Sequence, residues 1–143
     1  MKKGFTMIEI LLSMAVLSII VGIGSPIYQS FQNRNNLDIT TTTIVQTMRR
    51  AQVLAQSVDG DTSWGVKIQS GSIVLFQGVN FETRDPEFDE MFDLPTSITP
   101  SGLPEIIFTK FTGLPQITGS IVLTYNINET RNITINEKGT INF

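Results

Sequence analysis

The sequence predicts an α+β protein in which one long N-terminal α-helix packs on a C-terminal antiparallel β-sheet domain. Three observations lead to this prediction. Residues 10–33 are mostly apolar and include no charged side chain. Residues 44–58 repeat apolar side chains at helical spacing, and from Trp64 onward short β-forming runs alternate with turn sequences. Because the helical and strand patterns occupy separate parts of the chain, the two kinds of element should segregate.

The predicted helix begins at Thr6 and extends to about Val58. Its first half, residues 8–28, is apolar on nearly every side, and such a helix lies in lipid or in a protein core. A chain of 143 residues could hardly enclose it, whereas about 20 apolar residues cross a bilayer. We therefore expect a transmembrane segment over residues 5–30. Pro26 should kink or locally melt this helix, or else it only marks the end of the membrane segment.

The second half of the helix should belong to a globular domain, residues 31–143. Asparagines and threonines in residues 33–43 are weak helix formers and predict a soft stretch. An apolar stripe follows at spacings of 4, 3, 4 and 3 residues and should pack against a sheet: Ile44, Met48, Ala51, Ala55 and Val58. Gly60 should cap the end of the helix. The domain thus combines an amphipathic helix over 31–58 with a β-domain over 62–143.

The strands are predicted from alternation and from turn residues. Six segments fit: Trp64–Ile68, Ser72–Phe76, Ile106–Phe111, Ser120–Ile127, Asn132–Asn136 and Thr140–Phe143. Ile121, Leu123 and Tyr125 should share one face of their strand. The side chains expected to face inward in the last hairpin are Ile133, Ile135, Ile141 and Phe143. Between Gly78 and Pro104 no periodicity indicates a strand.

Composition excludes several functional classes. Cysteine and histidine are both absent, which removes disulfides, thiolate metal sites and the commonest general base. We find no nucleophile–base arrangement and no phosphate-binding glycine loop, so the chain is not expected to be an enzyme. The net charge of −3 makes broad electrostatic capture of nucleic acid a poor prediction.

The N-terminus is the most informative segment. Two lysines precede Gly4 and Phe5, and Glu9 follows at the start of the apolar run. An acid inside a membrane span is costly and usually functional. An ordinary signal peptide cut near Ser25, a bare membrane anchor and a buried core helix are the alternatives. Glu9 and the length of the apolar run argue against the signal peptide, and the small size of the domain argues against the core helix. The bare anchor leaves Gly4, Phe5 and Glu9 unexplained.

This arrangement resembles the class III leader of type IV prepilins and type II secretion pseudopilins. The resemblance implies that residues 1–4 are a leader peptide cut after Gly4, that Phe5 becomes N-methylated, and that Glu9 and Pro26 serve filament assembly. Removal of the two leader lysines leaves 8 basic and 13 acidic residues, a net charge of −5.

A second resemblance, to the GspH/FimT group of minor pilins and pseudopilins, covers most of the chain. It depends on Arg49-Arg50-Ala51-Gln52 through Ala55, on Trp64-Gly65-Val66, and on Ile133, Ile135, Gly139 and Ile141 near the end. Some members of that group bind DNA through an arginine-bearing C-terminal tail. Only Lys138 is found near the end of this sequence, so nucleic-acid binding is not expected.

The two resemblances imply a pilin fold and a structural subunit, a minor pilin or pseudopilin of a type IV pilus or a type II secretion-like filament. Its partners would be other pilin or pseudopilin subunits, a prepilin peptidase and an inner-membrane assembly platform. It would be a single-pass protein of the cytoplasmic membrane with an extracytoplasmic C-terminal domain, later part of a filament. The alternative is a membrane-anchored binding module, an adhesin or a DNA-uptake pilin, whose β-domain recognises a ligand.

Five carboxylates fall within nine residues: Asp85, Glu87, Asp89, Glu90 and Asp93. Calcium prefers such oxygen ligands, so these residues are weak candidates for a Ca²⁺ site. The stretch lacks EF-hand spacing, and charge runs are usually solvated surface. No other cofactor is expected.

Overall fold

The structure is a computed structural model that describes residues 4–125 and 129–143, with the side chains of residues 23–27, 29 and 30 left aside. The first three leader residues and the last two of the predicted strand Ser120–Ile127 lie outside these ranges. The chain divides into two compact units, Met1–Asn35 and Asn36–Phe143.

Helix α1 extends from Met7 to Gln56 without interruption. The predicted helix is therefore confirmed to within two residues at its C-terminal end. The threonines in this segment are helical, and the hydroxyls of Thr41, Thr42 and Thr43 each donate to the backbone carbonyl four residues earlier.

The predicted role of Gly60 as the cap of this helix is wrong. The left-handed residue that follows the helix is Val58, with φ 60°, and Gly60, with φ 66°, lies in the short 3-10 turn Asp59–Asp61. Positive φ is strained for a β-branched residue. The turn is held by two bonds, from Asp61 N to the Val58 carbonyl at 3.1 Å and from Trp64 Nε1 to the Asp59 carbonyl at 2.9 Å.

The described residues form two four-stranded antiparallel sheets. The eight strands are β1 Trp64–Gln69, β2 Ser72–Gln77, β3 Glu90–Asp93, β4 Ile98–Gly102, β5 Glu105–Phe108, β6 Gly119–Tyr125, β7 Glu129–Ile135 and β8 Ile141–Asn142. The first sheet has the order β3-β2-β1-β5 and the second has the order β4-β6-β7-β8. The predicted α+β class and both predicted hairpins, β1–β2 and β7–β8, are confirmed.

Three details of the strand prediction were wrong. The stretch between Gly78 and Pro104 contains β3 and β4, which are edge strands with weak apolar patterns; Pro100 is tolerated because β4 pairs on one side only. Strand β5 ends at Phe108, before the predicted Phe111, because Phe111 N turns away to donate to the Ala55 carbonyl at 3.0 Å. Phe143 is 64% exposed since β8 stops at Asn142.

The core of the second unit lies between the C-terminal half of α1 and the sheets. Four of the five predicted stripe residues are fully buried, Ile44, Met48, Ala51 and Ala55, whereas Val58 is half-buried. They share one apolar cluster with residues of both sheets, including Val66, Ile106, Phe108, Leu123 and Ile133. The helix half therefore supplies a face of the core that the sheets need.

Candidate functional site

The N-terminus of α1 carries a reciprocal cap formed by Thr6 and Glu9. Glu9 Oε2 accepts hydrogen bonds of 2.8 Å from both the backbone N and the Oγ1 of Thr6. In return, Glu9 N donates to Thr6 Oγ1 at 3.4 Å. This is a capping box, in which a threonine and a glutamate three residues later satisfy each other's backbone amides.

The cap fixes where the helix begins. The carbonyl of Thr6 accepts the first bond of the helix, from Ile10 N at 3.3 Å. Residues 4–6 belong to no regular element and are exposed, and Phe5 is 83% exposed. The peptide bond between Gly4 and Phe5 therefore lies outside the helix and at the surface.

Gly4 is not required by the packing of this fold. A Cβ placed on it would meet no described atom within 4 Å, and its backbone is not left-handed. By contrast, a Cβ on Gly65 would lie 2.3 Å from the ring of Phe76. A need for glycine at position 4 would therefore arise from a molecule that recognises the chain.

Glu9 keeps part of its hydrogen-bonding capacity. Both bonds from Thr6 reach Oε2, and within the described residues Oε1 accepts no hydrogen bond. A carboxylate offers about four acceptor positions. Glu9 can thus cap its own helix and accept a further donor at the same time.

Beyond the cap, the helix exposes large apolar side chains on every side. The exposed residues between positions 7 and 21 are Met7, Ile8, Ile10, Leu11, Leu12, Met14, Val16, Leu17, Ile19, Ile20 and Val21. The two serines in this segment satisfy their hydroxyls internally, Ser13 on the Glu9 carbonyl at 2.7 Å and Ser18 on the Met14 carbonyl at 2.8 Å. An apolar surface of this extent indicates an interaction with lipid or with other apolar helices.

Among the described residues, no helical segment combines the length and the apolar character needed to cross a membrane.

The backbone of α1 remains helical through Pro26. The local melting predicted there is thus not a feature of the isolated chain, and the side chain of Pro26 lies outside the described part. Its assigned role in assembly stays a prediction.

The five carboxylates of the acidic stretch are not brought together. Asp85 caps a 3-10 turn, Pro86–Phe88, by accepting from Glu87 N at 3.1 Å. Asp89 pairs with Arg84 at 2.8 Å, Glu90 pairs with Arg50, and Asp93 is exposed in β3. Within residues 4–125 and 129–143 no group of three acidic side chains could hold a metal ion. The geometry therefore gives the predicted calcium site no support.

Two features of the structure were not predicted from the sequence. The first is the cap itself, although Thr6-x-x-Glu9 before an apolar run is a readable signature of a helix N-terminus. The second is the set of ion pairs that join distant segments, such as Arg50 with Glu90 and Lys110 with Asp61. No local pattern indicates such pairs.

Comparisons with known proteins agree with this geometry. Residues 1–25 match the family model described as the prokaryotic N-terminal methylation motif. The fold is similar to that of the minor pseudopilin EpsH from the Type 2 Secretion System of Vibrio cholerae, with a TM-score of 0.55 and 12% identity over 75% of this chain and 94% of that chain. At this identity the likeness shows the fold alone. No curated protein matches the sequence. The predicted resemblance to type IV pilins and pseudopilins is confirmed by the motif and the fold together.

Proposed function

We propose that this type IV pilin-like chain is a minor pilin or pseudopilin, a structural subunit that enters a filament through its N-terminal helix. The observation that carries the proposal is the position of one acid. Glu9 lies in the first turn of a helix whose apolar side chains are exposed all round, four residues after Phe5. The methylation motif covers this segment.

Precursor processing follows from the leader. Cleavage after Gly4 would free the α-amine of Phe5, which then becomes N-methylated. The exposed, non-helical backbone of residues 4–6 supports access by a prepilin peptidase. The open space around Gly4 supports a requirement imposed by that enzyme and not by the fold.

Assembly follows from the exposed apolar helix and from Glu9. When such helices bundle, the carboxylate of Glu9 becomes buried among apolar side chains, where an unpaired charge is strongly unfavourable. Leader cleavage would supply the partner cation, because it frees the α-amine of Phe5 in a neighbouring subunit. Glu9 Oε1, which accepts no bond from the described residues, can receive it while Oε2 keeps the cap. The pair would fix the axial register between subunits.

Before assembly, the same helix would anchor the precursor in the cytoplasmic membrane as a single pass, with residues 31–143 on the extracytoplasmic side. The partners would be other pilin or pseudopilin subunits, the peptidase and an inner-membrane assembly platform. A structural role of this kind requires no catalytic group and no cofactor.

Mass spectrometry of the protein from its native host tests the proposal. We expect a mature N-terminus at N-methyl-Phe5. A mature N-terminus near Ser25 would contradict the proposal and establish an ordinary secretory signal peptide instead.

A further inference from the structure

We propose that Thr6 is a positioning residue for leader cleavage: its cap holds the start of α1 at Met7 and thereby keeps the Gly4–Phe5 peptide bond out of the helix. The inference rests on the proposed function, because it concerns the cleavage that the function requires. Thr6 itself lies outside the Gly4–Phe5 peptide bond that is cut.

The hydrogen bonds at the N-terminus carry the argument. The Thr6 carbonyl is the first to accept a helical bond, from Ile10 N. Thr6 Oγ1 and Thr6 N are both engaged with Glu9, so the backbone at residue 6 is held in its non-helical conformation by three bonds. The two residues before Thr6 stay outside the helical ladder as a consequence.

A peptide bond outside the helix is the better substrate. A protease needs the carbonyl of the bond it cuts and the backbone on either side, and proteolysis concentrates where the chain is exposed and irregular. In the reaction, water adds to the Gly4 carbonyl carbon and the bond to the Phe5 nitrogen breaks. Gly4 leaves with a carboxylate, and the nitrogen takes a proton to become the Phe5 amine.

Loss of the cap would shift the helix toward this bond. Glycine ranks close to threonine as an N-cap residue, far above valine and other apolar residues. With valine at position 6, Gly4 becomes the best remaining N-cap, and the helix would begin at Phe5. The carbonyl of the N-cap residue accepts the first helical bond. The Gly4 carbonyl, which the peptidase must attack, would then be bonded to Ile8 N.

The test uses the full-length precursor in membranes with its prepilin peptidase, and compares cleavage rates of matched variants. Thr6→Val keeps the branched shape and loses the capping oxygen. Thr6→Ser and Thr6→Asn have different shapes and keep a capping oxygen. We expect roughly fivefold slower cleavage of Thr6→Val, the factor that a typical N-cap contributes, and near wild-type rates for Thr6→Ser and Thr6→Asn. Ser18→Ala, which removes a hydroxyl far from the cap, serves as the control.

The outcomes separate this inference from the proposed function. The role of the cap and the proposed function are both supported if the wild-type protein is cleaved after Gly4, Thr6→Val is cleaved slowly, and Thr6→Ser and Thr6→Asn are cleaved at near wild-type rates. Equal rates for all variants, or fast Thr6→Val with slow Thr6→Ser, overturn the role of the cap while the proposed function stands. Absence of wild-type cleavage after Gly4 overturns both.

Discussion

Arg131 and Asp38 lie 93 positions apart in the sequence and form an ion pair, with Arg131 Nε 2.8 Å from Asp38 Oδ1. The pair joins strand β7 to α1 only two residues after the second compact unit begins at Asn36. Leu37, next to Asp38, is fully buried. The globular domain thus includes the helix from this point onward, and the sheets are not an independent domain.

A fragment that starts at Gln32 should therefore be soluble, monomeric and cooperatively folded, because it retains the buried helix face. A fragment that starts at Asp59 should aggregate, since removal of Ile44, Met48 and Ala51 exposes several hundred Å² of apolar sheet surface, estimated roughly from the size of patches that monomers avoid. Size-exclusion chromatography measures the oligomeric state of each fragment, and thermal melts followed by circular dichroism measure the cooperativity of its unfolding. Cooperative unfolding of the shorter fragment would contradict the assignment of the helix to the core.

Within the longer fragment, Met48→Ala should lower the free energy of unfolding by about 2–5 kcal/mol, because it leaves a cavity at a fully buried position. Arg131→Ala should cost only about 0–1 kcal/mol, because the ion pair with Asp38 is well exposed to solvent. Urea denaturation gives both values. A larger loss for Arg131→Ala than for Met48→Ala would show that the ion pair, and not the apolar stripe, holds the helix to the sheets.

The sequence predicted the parts of this fold that repeat a local pattern. The stripe from Ile44 to Ala55 follows from helical spacing, and the hairpin from Trp64 to Phe76 follows from alternation and turn residues. Strands β3 and β4 escaped prediction because together they bury only one side chain, that of Ile98, whereas the edge strand β5 buries Ile106 and Phe108 in alternation. The left-handed conformation of Val58 escaped prediction because a β-branched residue rarely adopts a positive φ. The local hydrogen bonds that hold the turn, from Asp61 N to the Val58 carbonyl and from Trp64 Nε1 to the Asp59 carbonyl, are visible only in the structure.

The candidate site was predictable to a similar extent. Gly4, Phe5 and Glu9 follow from the order of residue types at the N-terminus. The capping box of Thr6 and Glu9 is readable from their spacing, but only the structure shows that both Thr6 donors reach the same oxygen of Glu9. The calcium site at the acidic stretch stays a weak prediction, and the sequence did not indicate that neighbouring carboxylates pair with different arginines, Arg84 and Arg50.

Calcium should leave the stability of the Gln32 fragment unchanged. Asp89 and Glu90 are engaged by arginines, and no three acidic side chains of the described residues are arranged around a common point. We expect the same melting temperature with calcium at about 1 mM, the weak end of the affinity range of extracellular modules, as with a chelator. A calcium-dependent increase that Asp89→Asn abolishes would show that the stretch rearranges around a metal ion.

Gly4→Leu should leave full-length precursor in the membrane, and Gly4→Ala should be cleaved partially, because the peptidase has to admit the side chain before the cut. Gly22→Ala is the matched control: a Cβ there also meets no described atom within 4 Å, yet position 22 is far from the bond. Immunoblots that separate precursor from mature protein measure the ratio. Similar processing of Gly4→Leu and Gly22→Ala would remove Gly4 from the recognition site.

Glu9 has two roles that substitutions can separate: it caps α1, and it would pair with the Phe5 amine of a neighbouring subunit. Glutamine also completes a capping box, so Glu9→Gln should keep the start of α1 and allow cleavage after Gly4. It removes the negative charge that the Phe5 amine of a neighbouring subunit would need. Glu9→Val removes both the charge and the acceptor of the Thr6 bonds, and should be processed more slowly.

For both variants we expect mature protein to accumulate in the membrane while little reaches the sheared filament fraction, because the register between subunits is no longer specified. Thr6→Ser, which retains the cap and the charge, should assemble normally and serves as the control. Immunoblots of membrane and sheared fractions from a filament-forming host give the comparison. If Glu9→Gln enters filaments as well as the wild-type protein does, charge pairing at Glu9 does not drive assembly. The membrane-anchored binding module, with the helix as a simple anchor, would then be the better account of this chain.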